Sequence, residues 1–131
     1  MLKAEESVSV SYRALNQSDL EELLKLYQDK LFIQGYGKID EDRQTKQQLE
    51  DWYEHSIHSL DEYYFSIWIE GSKEWIGFIS LTDFNEDQSE AWVSIGIKPT
   101  WWGMGIGTKV FTAFIDDCFT NWHLKTLRLS V

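Results

Sequence analysis

The stretch from Ile95 to Phe111 constrains the fold more than any other part of the chain. It enters as an alternating, strand-like segment, crosses a loop with glycine at Gly103, Gly105 and Gly107, and leaves as an amphipathic helix. Another alternating segment, with Leu127, Leu129 and Val131 on one side, follows that helix. Two strands joined through a helix run parallel when they share a sheet, with a right-handed crossover. Closely spaced glycines leave little side chain over the loop. Their bare N–H groups and the helix N-terminus can then converge on an anion. The feature thus predicts a piece of topology and a phosphate-bearing ligand together.

Upstream the pattern is different. Val8 to Leu15 alternates apolar and polar residues and predicts a first strand. Ser18 with Glu21 fits a capping box, opening a helix with Leu20, Leu23, Leu24, Tyr27 and Leu31 on one face. Phe32 to Asp42 reads as a loop, and a second helix follows, boxed by Thr45 and Gln48, with a stripe of Leu49, Trp52, Tyr53, Ile57 and Leu60. After Asp61 the period changes from 3.6 to 2. Tyr63 to Ile69 and Trp75 to Thr82 form the arms of a hairpin, turning at Glu70-Gly71-Ser72-Lys73. A polar stretch, Asp83 to Ser89, leads to a strand from Glu90 to Ile97, and the helix after the glycines presents Val110, Phe111, Phe114, Ile115, Cys118, Phe119 and Trp122. The expected fold is α+β: one mixed, mostly antiparallel sheet with helices on its faces, and not a doubly wound fold.

Bulk properties narrow the function. With 131 residues the chain makes one domain, and 43% apolar and 15% aromatic content argue against disorder. No segment approaches the twenty or so apolar residues that span a bilayer, and Met-Leu-Lys-Ala-Glu-Glu at the start lacks a signal-peptide core. A single cysteine, Cys118, permits no internal disulfide, so a soluble, cytoplasmic chain is expected. The net charge of −10 argues against nucleic acid and mildly favours cationic partners such as amines. No membrane partner is expected.

Register tests the phosphate loop. A Walker loop needs Gly-Lys-Ser/Thr, but here Thr108 precedes Lys109. A dinucleotide loop needs Gly-x-Gly-x-x-Gly, and Thr108 stands at the third glycine; no later strand ends in an acidic ribose ligand. Both readings fail.

Trp102-Gly103-Met104-Gly105-Ile106-Gly107 resembles instead the coenzyme A loop of the GNAT superfamily of N-acetyltransferases, Gln/Arg-x-x-Gly-x-Gly/Ala. Trp102 replaces the usual Gln or Arg, as in the branch resembling the ribosomal-protein and spermidine N-acetyltransferases. The element order from Val8 to Val131 matches the family as far as its fifth strand. The resemblance implies acetyl-CoA as co-substrate, no metal, and direct attack of a primary amine on the thioester. The amine would belong to a protein N-terminus or a small molecule such as a polyamine.

It also implies roles for residues. Backbone N–H groups of Trp102, Gly103, Met104, Gly105, Ile106, Gly107 and Thr108 would hold the pyrophosphate. The main chain of Ile95 and Ile97 would pair with the pantetheine arm while their side chains fill the core, and an N–H near Ile95 would serve the oxyanion. Met104 stands where Lys is frequent, leaving Lys98 or Lys109 as phosphate counter-charge. Glu90 is the candidate general base, with Asp83 and Glu86 as alternatives. Cys118 reads as a core residue, and His55, His58 and His123 have no metal-ligand spacing.

Family members continue past the fifth strand into a helix carrying a tyrosine that protonates the thiolate, whereas this sequence stops at Val131. The expectation is a single domain, 1–131, incomplete at its C-terminus, with an uncovered sheet edge that invites a homodimer. The alternative function is a non-catalytic coenzyme A-binding or oligomerisation domain.

Overall fold

The computed structural model describes residues 9–71 and 73–129, and its five strands form one sheet in sequence order. They are β1 (Val10–Ala14), β2 (Glu62–Ile69), β3 (Glu74–Thr82), β4 (Glu90–Ile97) and β5 (Thr126–Leu129). The first three pairings are antiparallel, and β4 with β5 is parallel. The mixed, mostly antiparallel sheet expected from the sequence is therefore the one observed. Val8, Ser72 and Val131, assigned above to a strand, a turn and a strand, lie outside the described residues.

The helices are α1 (Leu20–Tyr27), α2 (Lys30–Tyr36), α3 (Lys46–Ser56) and α4 (Ile106–Thr120), with 3-10 turns at Gln17–Asp19, Glu41–Arg43 and Pro99–Trp101. The sheet separates two cores. On one face Ile67, Ile79, Leu81 and Val93 pack against Val110, Phe114 and Cys118 of α4, which recur at the i, i+4 spacing of a buried stripe. On the other, Trp75 and Phe78 meet Leu23, Leu26, Phe32 and Leu49 of α1, α2 and α3.

Three expectations are corrected between β1 and β2. The capping box begins at Asn16: Ser18 N–H donates to Asn16 Oδ1 at 2.9 Å and Asn16 N–H to Asp19 Oδ2 at 3.1 Å. Asp19 is committed because it is buried and also accepts from Ser66 Oγ at 2.8 Å, tying the helix start to β2. The long first helix is in fact two. Asp29 caps α2 by accepting from Phe32 N–H at 3.0 Å, which rotates Leu31 into solvent and buries Phe32, expected in a loop. The Thr45–Gln48 box is present as expected, but α3 ends at Ser56, so Ile57 and Leu60 leave the stripe and are exposed. On α4, Phe119 is exposed too, because it sits one position past the buried Cys118.

Candidate functional site

Two features of β4 create a cleft. Its described pairing with β5 ends at Val93↔Leu129, while β4 itself runs on to Ile97. Lys98 N–H donates to Ile76 O at 2.8 Å, toward β3. Peptide groups alternate sides along a strand, so those of Ile95 and Ile97 point away from β3, on the β5 side of β4. There the chain forms a cleft of about 990 Å³. One wall is β4 from Ser94 to Ile97, with Leu129 at the end of β5 opposite; α2 closes a side with Phe32, Gly35 and Tyr36. The glycine loop, Trp102, Gly103 and Gly105, and the first turn of α4 form the mouth.

Sequence chemistry explains the shape. Gly96 has no room for a side chain: a Cβ there would lie 2.6 Å from Phe78 Cε1 and 2.8 Å from Phe32 Cζ. That vacancy lets α2 descend onto β4, and Tyr36 then stacks on Phe32 with ring centroids 4.9 Å apart. Gly103 and Gly105 adopt φ of +78° and +74°, the left-handed region that a Cβ makes costly. These turns deliver the chain into α4, whose first N–H groups, Ile106 to Thr108, lack acceptors within the helix. A helix N-terminus of fifteen residues facing a cleft with bare backbone is a place for an anion.

The candidate residues fall into two groups. Ile95, Ile97, Trp102, Gly103, Gly105, Ile106, Gly107 and Thr108 all line the cleft. The Ile95 side chain packs against the α4-side core, and Ile97 belongs to that core. Trp102 enters by its ring, because its own N–H is donated to Pro99 O at 3.1 Å. Met104 does not line the cleft; it packs against the core instead. Lys98 is engaged elsewhere. Its Nζ lies 2.9 Å from Glu22 Oε2 on α1, and this contact holds the Glu22 carboxyl below the usual carboxylate range.

Glu90, Asp83 and Glu86 lie at the other end of β4 or in the loop before it, and none lines the cleft. Glu90 shares a sheet face with Ser94, but four residues separate them, about 13 Å at ~3.3 Å per strand residue. Its carboxylate is held by the neighbouring strand: Arg128 Nε donates to Oε2 at 2.9 Å and Nη2 to Oε1 at 3.2 Å. Among the described lining residues the one ionisable side chain is Tyr36. Burial pushes the Cys118 thiol up to about 11, so it stays protonated within the core at neutral pH. Among the described residues no group of three or more His, Cys, Asp or Glu is placed to hold a metal ion. No described helix is long and apolar enough to cross a membrane.

Sequence reasoning missed seven cleft residues: Phe32, Gly35, Tyr36, Ser94, Gly96, Trp101 and Leu129. Ser94 was legible as an outlier, a small polar residue inside an apolar strand. It is paired with the buried Ser80 hydroxyl, Oγ to Oγ 3.1 Å. Tyr36 and Phe32 gave no such signal, since their place depends on the break between α1 and α2.

Comparison with known proteins agrees with this geometry. The family model described as Acetyltransferase (GNAT) domain matches residues 10–131. No curated protein matches. A spermidine N-acetyltransferase from Vibrio cholerae, solved in complex with CoA and spermine, superposes with a TM-score of 0.81 at 25% identity, covering 92% of this chain and 69% of that one. A structure of the Vibrio cholerae spermidine/spermine N-acetyltransferase SpeG with manganese ions superposes with a TM-score of 0.79 at 24% identity, over 97% of this chain and 70% of that one.

Proposed function

The chain belongs to the GNAT acetyltransferase family, and from that premise we propose that its β4–β5 cleft takes acetyl-CoA and passes the acetyl group to an amine such as a polyamine. The observation that carries the reading is the coincidence of three things in one cleft. They are outward-facing peptide groups on β4, a glycine loop with two left-handed residues, and the N-terminus of α4. The pyrophosphate would sit on N–H groups of Gly103 to Thr108, with the α4 dipole behind them. Lacking Lys98, which is held by Glu22, the loop would rely chiefly on backbone dipoles. The pantetheine arm would extend along Ile95.

In the transfer step the amine nitrogen attacks the thioester carbon, the oxygen charge is met by a backbone N–H near Ile95, and the C–S bond breaks to release coenzyme A thiolate, which takes up the proton the nitrogen sheds on becoming an amide. The ammonium must first lose a proton. Glu90 is the proposed acceptor of it, acting through water along the open sheet face that it shares with Ser94. The amine class draws on the net charge of −10, which attracts cations, and on the spermine bound by the Vibrio cholerae structure.

Thiol release from acetyl-CoA, followed with spermine, spermidine and peptide amines, tests the proposal. Amine-dependent release is expected; a flat trace across the panel refutes transfer. Glu90→Gln separates the roles of that residue. As a base, its loss lowers kcat by about a hundredfold or more with coenzyme A affinity unchanged. Retained kcat assigns it only to Arg128.

A second reading, coenzyme A binding without turnover, draws on the bidentate hold of Arg128 on Glu90 and on the lack of any carboxylate or imidazole among the described cleft residues. Calorimetric binding of coenzyme A with no amine-dependent thiol release would favour it.

A further inference from the structure

Trp102 does three things at once. Its backbone N–H is spent on Pro99 O at 3.1 Å, closing the 3-10 turn that follows β4. Its indole Nε1–H donates to Ile97 O at 2.8 Å. The far edge of its ring lies over α2, where a Cβ on Gly35 would come 3.3 Å from Cη2 and 3.8 Å from Cζ2. The residue is 42% exposed and lines the cleft. One side chain therefore joins the end of β4, the glycine loop and α2, the three elements around the mouth.

The bond to Ile97 matters for what a ligand can do. The Ile97 carbonyl is the last one on β4 that faces away from β3. An extended ligand with amide groups, laid along that edge as an added strand, would pair with it if it were free. The indole has taken its place. We infer that Trp102 is a positioning residue that sets the register of the amide-bearing arm of the ligand. It caps the Ile97 carbonyl, so that the first β4 acceptor open to the arm's amide N–H groups is the Ile95 carbonyl, deeper in the cleft. The inference rests on the coenzyme A reading above and adds the residue that decides how far the arm reaches. It also gives a reason for glycine at position 35: the ring needs the space a side chain would fill.

The test uses two probes on the full chain. Coenzyme A carries the amide arm; adenosine 3′,5′-bisphosphate carries nucleotide and phosphates without it. Trp102→Phe keeps a ring and removes the N–H, and Gly35→Val leaves Trp102 in place but pushes its ring. Each variant frees the Ile97 carbonyl to pair with the arm, so coenzyme A affinity should shift by about five- to tenfold, the scale of one net hydrogen bond, while the bisphosphate stays within about twofold. In turnover a slipped arm withdraws the thioester from the Ile95 N–H, so kcat at saturating acetyl-CoA should fall about tenfold or more, and kcat preserved at saturation would overturn the register claim. If both probes weaken together, Trp102 merely braces the phosphate loop and the register claim is overturned. Unchanged affinity for both probes overturns it as well. Failure of the unmodified chain to bind coenzyme A would instead sink the reading on which the inference rests, and the two failures are told apart by that control. Circular dichroism and Tm on each variant identify any that has not folded, in which case the other variant decides.

Discussion

Gly105 ends the turn into α4 at φ +74°, and the whole mouth of the cleft depends on that one backbone conformation. Alanine there must either strain or move the loop. Gly105→Ala should cost about 1–2 kcal/mol in urea unfolding and weaken coenzyme A by at least tenfold; unaltered affinity would place the ligand elsewhere. Cys118 makes an opposite kind of claim. With its thiol pushed up to about 11, only about one molecule in a thousand is thiolate at pH 8, behind a packed helix. Iodoacetamide at pH 8 should leave the native chain unmodified by mass spectrometry. Because the folded value is raised above the ordinary 9, its stabilising effect is complete below pH 9 and fades as pH climbs toward 11. At this scale the sequence showed which backbone would be bare. It did not show that the Trp102 N–H would be spent locally or that Met104 would turn into the core, since both depend on the 3-10 turn at Pro99–Trp101.

Among the helices, α3 is the one whose start was fully legible. Thr45 accepts from Gln48 N–H at 3.1 Å, and Gln48 Oε1 accepts from Thr45 N–H at 3.1 Å. Thr45→Ala should therefore lower stability by about 1 kcal/mol without changing coenzyme A affinity, a pairing that thermal unfolding and calorimetry can check together. The α1–α2 break was not legible, because Leu20 to Leu31 continues an apolar period across it. What divides the helix is the Asp29 carboxylate competing for the Phe32 N–H, together with the gain from burying the Phe32 ring, about 2–3 kcal/mol, over Gly96. The strands were easier: Glu90–Ile97 was read at its observed bounds, and the others changed only at their ends. Period separates strand from helix; it does not report a cap inside an unbroken period.

For the molecule as a whole, the crossover through α4 fixes the design. It makes β5 parallel to β4, and at the end of β4 the peptide groups of Ile95 and Ile97 face away from β3, beside the cleft. The sequence carried this much, because a glycine loop between a strand and a helix, with another strand behind, allows few arrangements. It carried less about the chemistry. Carboxylates are abundant in a chain with 22 of them, and the one placed at the start of β4 is held by Arg128, a partner from a strand with no sequence proximity. The central claim is that this cleft takes coenzyme A, and titration calorimetry measures it most directly. One molecule should bind per chain, and the heat should vanish when Gly105→Val closes the mouth. No heat from the unmodified chain, or unchanged binding by Gly105→Val, would contradict the account.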